Sequence, residues 1–379
     1  MKITNVEALP VWGGARNFFH VVVDIEEGLF GVGEGGLTNR ELVAVGVVEH
    51  FKSILIGQDA RRIEHLWQLM FRGGFFPAGR IATSVISAVD MALWDLRGKA
   101  LGVPVYDLLG GRVRDRVVCY PGNDGESFDI GRLVESCRQS KEAGWKFVRW
   151  GLPVERNVLD PSESVRIAIR QLEAVRLAVG DEVEICFDVH TRLDPADALR
   201  FCRAAEEFRP FFIEDPVRAE NPSAYRQLRQ HTRVPLAAGE QFATKWEFKE
   251  LIENDLIDYA RIDLGIVGGL TEAKKIAGWC ETHGIKIALH NPLGPVSTAA
   301  CLHLDLATSN FGVQEQGRIP GTTIPDVIPV QSELKDGYLL PSTRPGLGIE
   351  FDRDAARRHP FQMRPPISFR RVDGSFTNF

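Results

Sequence analysis

The sequence has little of what would make it a secreted, membrane-bound or nucleic-acid-binding protein. Its 379 residues include six cysteines, at 119, 137, 186, 202, 280 and 301, with no C-x-x-C pair. That density is far below a disulfide-stapled domain, so the thiols are expected to be reduced core residues. No run of apolar residues approaches the length of a membrane span, and Met1-Lys2-Ile3-Thr4-Asn5 leads into an alternating strand pattern, not the apolar core of a signal peptide. A cytoplasmic location is the expectation. No Lys/Arg tract is interleaved with aromatics and the formal charge is only −6, which gives no support to a nucleic-acid surface. With 44% hydrophobic and 25% charged residues, the chain reads as a globular enzyme acting on a small molecule. Its length favours one large domain and a smaller one.

The most informative feature is a set of three carboxylates, Asp188, Glu214 and Glu240, spaced 26 residues apart, each following a short apolar run. Twenty-six residues accommodate a strand, a loop and a helix, which places each acid at the C-terminal end of successive parallel strands. Converging anions repel unless a cation joins them, and three carboxylates suit Mg²⁺, which takes oxygen ligands and leaves positions for water or substrate. The register continues through Asp263, His290 and Glu315. Any one acid after a strand is most simply a helix cap or a solvated loop charge, but six polar residues in register at one barrel face point to catalysis.

Strand and helix signals alternate from Arg116 onward. Candidate strands lie at 117–119, 147–149, 185–187, 211–213, 236–238, 259–262, 286–289 and 311–313. Asp194-Pro195-Ala196-Asp197 and Asn221-Pro222 read as helix starts, and Gly144 and Gly180 as helix stops. The fold class is therefore α/β, a TIM-type (β/α) barrel modified to seven or eight units, over residues 119–334. Residues 1–118 differ. Two β-prone runs flank Glu26-Glu27-Gly28, and helical patterns follow at Arg61–Arg72 and Thr83–Lys99, so an N-terminal α+β capping domain is expected, with the tail from about 335 to 379 returning to it.

The strings Phe187-Asp188-Val189-His190, Phe212-Ile213-Glu214-Asp215-Pro216, Ala238-Gly239-Glu240, Val267-Gly268-Gly269-Leu270-Thr271-Glu272, His290-Asn291-Pro292-Leu293-Gly294-Pro295 and Gln314-Glu315-Gln316 extend this pattern. Together with the spacing, they resemble the enolase superfamily, mandelate racemase subgroup, across essentially the whole chain. Within it the acid-sugar dehydratases are most similar, galactonate dehydratases above all. The resemblance implies Mg²⁺-dependent conversion of an aldonic acid to its 2-keto-3-deoxy product, and a homo-oligomer, since relatives often assemble.

The residues themselves support that chemistry. Removing a proton α to a carboxylate needs strong electrostatic stabilisation, which a cation held by Asp188, Glu214 and Glu240 supplies. His290 with Asp263 forms a base dyad, set against the plainer reading of a buried histidine bonded to backbone. His190, two residues past Asp188 on an extended segment, would point the same way and serve as acid for the departing 3-hydroxyl; the plainer alternative is a histidine that orients Asp188. Glu315 would share a hydrogen bond with the substrate carboxylate, or be a structural acid at the rim.

The second strand departs from the racemases, which carry K-x-K there. This chain has Phe147-Val148-Arg149-Trp150-Gly151, and a guanidinium is a poor base, so one-base dehydration is favoured over racemisation. Arg149 is a candidate substrate contact or an internal salt bridge. Asn291 and Arg192 are further candidates, and the capping loops Trp12–Asn17, with Arg16 and Asn17, and Arg72–Arg80 are candidate lids. An epimerase, racemase or cycloisomerase of the same superfamily remains the nearest alternative. A barrel that only binds sugar acids is less favoured. So is an NAD-dependent dehydrogenase, proposed only by the G-x-G-x-x-G string at Gly31–Gly36.

Overall fold

The computed structural model describes residues 1–123 and 127–378. It opens with an antiparallel sheet of β1 (Ile3–Trp12), β2 (Asn17–Ile25) and β3 (Phe30–Gly35) in the order β1-β2-β3. Gly28, at φ 80°, makes the β2–β3 turn and donates its N–H to Ile25 O at 3.0 Å. β2 is buried on both faces, and its period of two sorts the burial. Phe19, Val21, Val23 and Ile25 pack with the helices α1 (Glu41–Leu55), α2 (Ile63–Arg72) and α3 (Arg80–Leu101), whereas Phe18 and Val22 join the core of the barrel that follows. The cap is thereby fused to the barrel by alternate side chains of one strand.

α2 begins two residues later than its pattern predicts, because Asp59 binds the Arg61 N–H at 3.0 Å in a turn that occupies the preceding positions. α3 runs further than predicted and stops at Gly102, φ 70°. The glycines of the G-x-G-x-x-G string serve packing: a Cβ on Gly31 or Gly33 would lie 1.9 Å from the carbonyl oxygens of Ala92 or Ala88 on α3. β3 pairs antiparallel with β2, so the parallel βαβ unit that a dinucleotide site requires is not built here.

After α4 (Val105–Leu108) the barrel strands alternate with helices: β4 (Val117–Pro121), α5 (Ile130–Glu142), β5 (Phe147–Gly151), the short β6 (Val158–Leu159), α6 (Pro161–Val179), β7 (Glu184–Asp188), α7 (Pro195–Ala205), β8 (Phe212–Glu214), α8 (Ala224–His231), β9 (Leu236–Ala238), α9 (Lys245–Glu253), β10 (Tyr259–Ala260), α10 (Gly269–Thr282), β11 (Lys286–Ile287), α11 (Pro295–Leu306) and β12 (Gln314–Gln316). Six strands form a parallel sheet in the order β11-β10-β9-β8-β7-β5. β12 pairs parallel with β4, and single parallel bridges, Gly122 to Arg149 and Ile287 to Phe311, complete a ring of eight. Its floor is filled by Tyr120, Phe147, Cys186, Phe212, Ala237, Tyr259, Ala288 and Val313, each from a different stave.

The last strand forms at Gln314–Gln316, not at Phe311–Val313 as the apolar run predicts. Its inward side carries the polar site, so hydrophobicity marks the approach to the strand and not the strand itself. Helix ends follow the predicted punctuation in part. Asp160 caps α6 through Ser162 N at 3.0 Å and Gly180, φ 76°, ends it. Asp194 makes no cap bond and pairs with Arg371 at 3.1 Å instead, while α8 starts two residues past Asn221-Pro222, where Asn221 binds the Ser223 hydroxyl at 2.6 Å.

The chain continues through β13 (Glu333–Lys335), β14 (Tyr338–Leu340), α12 (Arg353–Arg358), β15 (Phe369–Arg371) and β16 (Phe376–Thr377). This tail touches both parts. β14 pairs with β4 and β15 with β6, whereas Arg353 bridges to Asp24 and Trp12 N donates to His359 O at 3.0 Å. All six cysteines are buried and unpaired, and among the described residues no helix is long and apolar enough to cross a membrane.

Candidate active site

The three spaced acids meet at the C-terminal mouth of the barrel. Asp188 ends β7, Glu214 ends β8, and Glu240 stands two residues past β9; all three are buried. The backbone enters the left-handed region beside each: at His190 and Thr191, both φ 56°, at Asp215, φ 38°, and at Gly239, φ 128°. Such conformations cost about 1–3 kcal/mol at non-glycine residues and gather where a site needs its side chains re-aimed. The extended geometry predicted for Asp188–His190 is thus replaced by a turn in which Asp188 Oδ1 accepts the His190 N–H at 2.7 Å. His190 still reaches the site, with Nε2 2.9 Å from Asp188 Oδ2.

Ligand atoms of Asp188, His190 and Glu240 lie within 4.8 Å of one another, as do those of Glu214, Asp215 and Glu240. Glu240 belongs to both groups. Glu214 Oε2 and Glu240 Oε2 are buried without a hydrogen-bond partner, and oxygens of this kind are the ligands a hard divalent cation takes. Burial, with Asp188 and Glu240 as like-charged neighbours, raises Glu214 to a pKa of about 8 against the pull of Arg261 and Arg149. Asp188 is buried too, but His190 and Arg149 hold it well below the usual carboxylate range. The residues present fit a metal: they are an anionic, partly orphaned oxygen set.

Two arginines offset part of this charge. Arg149, on β5, bonds Asp188 through Nη2 and lies 3.7 Å from Glu214 Oε2, so the internal ion pair predicted as its alternative role is what the structure places there. Arg261 was quoted in the sequence only as part of a strand. It is fully buried, and its Nε donates to Glu214 Oε1 at 2.5 Å and its Nη2 to Glu315 Oε2 at 2.6 Å. The apolar context of Tyr259-Ala260-Arg261-Ile262 was the available signal, because a charge in the middle of a barrel strand must find buried partners. Asp215 was also without an assigned role; its pKa is raised by burial and by the surrounding acids.

His290 Nδ1 lies 2.8 Å from Asp263 Oδ2, which leaves Nε2 turned towards Glu240 Oε2 at 3.3 Å. Burial would lower the imidazole pKa, but Glu240, the Asp263 hydrogen bond and Glu315 together raise it to about 9. Asp263 is itself fixed by the Gly265 N–H at 2.7 Å, and the loop beyond it is gripped by the cap: Gly36 N donates to Gly265 O at 2.8 Å, Ser84 Oγ to the same oxygen at 2.8 Å, and Trp67 Nε1 to Gly268 O at 2.9 Å.

Glu315 accepts from Arg261 and, at 3.0 Å, from the Asn291 N–H. Though buried, it is lowered to a pKa of about 2 by Arg261, His290 and Arg149. In both of these contacts Glu315 is the acceptor. Asn291 spends its amide on Thr298 Oγ1 at 2.9 Å and supports Glu315. Asn17 is turned away: its amide donates to Gln362 O at 2.8 Å and its carbonyl accepts from Gln362 N at 3.0 Å. Arg16 donates to Pro292 O at 2.9 Å, two residues past His290, and Arg192 donates to Leu152 O at 2.8 Å.

This combination of a capped barrel with acids on consecutive staves has known counterparts. Residues 132–355 match the family model described as enolase C-terminal domain-like, and residues 13–110 match the mandelate racemase / muconate lactonizing enzyme N-terminal domain. The chain belongs to this branch of the enolase superfamily. It is 37% identical over 408 residues, covering all of both chains, to a D-mannonate dehydratase of Caulobacter sp. (strain K31). It is also 37% identical over 385 residues, 99% of each chain, to a D-galactonate dehydratase of Verminephrobacter eiseniae (strain EF01-2). Among solved structures it is similar to an enolase from Pantoea ananatis with bound D-gluconate and Mg, with a TM-score of 0.93, 32% identity and coverage of 100% and 99% of the two chains. An enolase from Agrobacterium radiobacter bound to Na and L-malate gives a TM-score of 0.92 at 31% identity, with both chains fully covered.

Proposed function

We propose that the protein is a Mg²⁺-dependent acid-sugar dehydratase that converts an aldonic acid to its 2-keto-3-deoxy product. The observation that carries this reading is the pair of histidines at one acid cluster: His290 beside Glu240, and His190 beside Asp188. One proton must leave C2 and one must reach the 3-hydroxyl, and two imidazoles at a shared centre match that need.

Asp188, Glu214 and Glu240 would hold the ion, which when bound supplies positive charge to the substrate carboxylate. His290, its tautomer fixed by Asp263, takes the C2 proton on Nε2. The C3–O bond then breaks as His190 gives its proton to the leaving hydroxyl, which departs as water. The resulting enol tautomerises to the 2-keto acid. Arg149 and Arg261 hold the acids in place and favour their charged forms against burial, and the buried setting strengthens each electrostatic contact. β5 carries arginine where racemases carry lysine, so the lysine base of that strand is lacking, which favours this reading over racemisation.

The test is a stereochemically complete panel of aldonic and aldaric acids with Mg²⁺, scored for keto-acid formation. Epimerised acid without keto product would overturn the proposal. The relatives' names, mannonate and galactonate dehydratase, support the reaction class and leave the hydroxyl configuration to that panel. The homo-oligomeric state and the boundaries at 118 and 334 are proposals of the same standing, testable by light scattering and limited proteolysis.

A further inference from the structure

A charge pattern at the rim of the site is unused by this chemistry. Arg16, on the capping loop between β1 and β2, donates from Nη1 to the carbonyl oxygen of Pro292 at 2.9 Å and from Nη2 to the Thr38 hydroxyl. Arg318, two residues past β12, donates to the same Pro292 oxygen and to Leu293 O at 3.0 Å. The Phe18 ring lies under both guanidinium groups, at 5.7 and 5.3 Å. Two like charges, one from the cap and one from the barrel, thus converge on a single neutral oxygen two residues beyond His290.

Among the described residues neither arginine forms an ion pair; their partners are carbonyls and one hydroxyl. The acids that attract them from a distance, Glu34, Asp263, Glu41 and Glu315, make their hydrogen bonds elsewhere, Glu41 to Asn39 N at 3.1 Å. Glu34 accepts from Gly294 N at 2.7 Å and Ser297 N at 3.0 Å, Asp263 holds His290 and Gly265 N, and Glu315 holds Arg261 and Asn291 N. A latch between cap and barrel would need one donor on Pro292 O. A second cation on the same atom adds repulsion rather than a tie, and burial, which lowers the pKa of both groups, aggravates it. Guanidinium groups present paired donors that match a carboxylate.

We infer that Arg16 and Arg318 together receive a second carboxylate of the substrate, at the end of the carbon chain remote from C1, so that an aldaric acid is bound more tightly than the aldonic acid of the same configuration, which remains a substrate. This rests on the dehydratase reading above and changes only what stands at the far end of the sugar.

The test uses the full chain with saturating Mg²⁺ and the His290→Asn background, which holds ligands unreacted. Calorimetric titration compares each diacid with its own monoacid: galactarate with galactonate, glucarate with gluconate, mannarate with mannonate. In at least one pair the diacid should bind about tenfold or more tighter, and Arg16→Met or Arg318→Met should erase that ratio while moving the monoacid by less than about threefold. Arg16→Gln and Arg318→Gln, which retain donors without charge, should do the same and guard against a misfolded methionine variant. Equal affinities in every pair, or a preference that survives these substitutions, overturns the inference. Keto-acid formation by the unsubstituted protein is scored separately. Turnover of aldonates without a diacid preference defeats this inference and leaves the dehydratase reading standing. No turnover of either class defeats that reading, and the binding ratio still decides this one.

Discussion

At the scale of single residues, the proposed mechanism gives the two histidines different steps, which should separate experimentally. His290→Asn is expected to stop both C2 hydrogen exchange in deuterated water and keto-acid formation. His190→Asn should leave exchange measurable and slow water loss by roughly 100-fold or more, the usual scale of a lost general acid. Equal retention of dehydration in both variants would show that the roles are misassigned. Arg261 makes a different kind of prediction. It is fully buried between Glu214 and Glu315, so Arg261→Met strands two anions and should destabilise the fold by about 3–5 kcal/mol in denaturant titration. A loss below 1 kcal/mol would mean that the acids find another counterion. The acids and His290 were legible because their spacing is regular. Arg261 was not, because its role depends on which strands become neighbours, and no periodicity within one strand reports that.

At the scale of elements, α11 contains a buried histidine outside the site. His303 Nδ1 accepts the Tyr106 N–H at 3.0 Å and its ring stacks on Tyr106, and burial depresses its pKa to about 4 against a hydrogen bond to Leu347. The folded pKa lies below the unfolded value of 6.5, so the neutral ring contributes stability that is complete above pH 6.5 and lost as pH falls through 4. The loss amounts to about 3 kcal/mol. Unfolding free energies at pH 7 and pH 4 should therefore differ less in His303→Gln than in the parent chain; the same difference in both would remove His303 as a cause. On β3, Gly33→Ala puts a methyl 1.9 Å from Ala88 O and should cost about 1–3 kcal/mol or more, read as a shifted denaturation midpoint. The string around Gly33 looked like a phosphate loop in sequence. Only the antiparallel pairing of β2 and β3 shows that the glycines admit a helix and not a nucleotide.

For the whole molecule, the acid cluster links stability to the ion. Mg²⁺ should raise the melting temperature in a concentration-dependent way, approaching about 2.7 kcal/mol of stabilisation at a hundred times its dissociation constant, and a chelator should abolish turnover. Glu240→Gln should weaken both effects, and an unchanged melting curve with Mg²⁺ would argue against the cluster as its site. The barrel was readable from alternating strand and helix signals because each stave repeats one pattern. The last stave was misplaced by three residues, since its sequence, Gln314-Glu315-Gln316, is polar where the others are apolar. The helix start at Asp194-Pro195 falls where the sequence puts it, although the Asp194 carboxylate pairs with Arg371 and makes no cap bond; the start at Asn221-Pro222 comes two residues late, because Asn221 binds the Ser223 hydroxyl.

The grip of the cap on the loop after Asp263 has a consequence for how such an enzyme could change. Gly36, Ser84 and Trp67 hold that loop by its backbone, and the same cap carries Arg16. On the readings proposed above, substrate choice and proton transfer therefore share one scaffold. A lineage acquiring a new sugar by shifting the cap bodily would disturb the His290–Asp263 pair, so diversification is steered towards exchanging side chains at the loop tips, with the contacts between cap and barrel left alone.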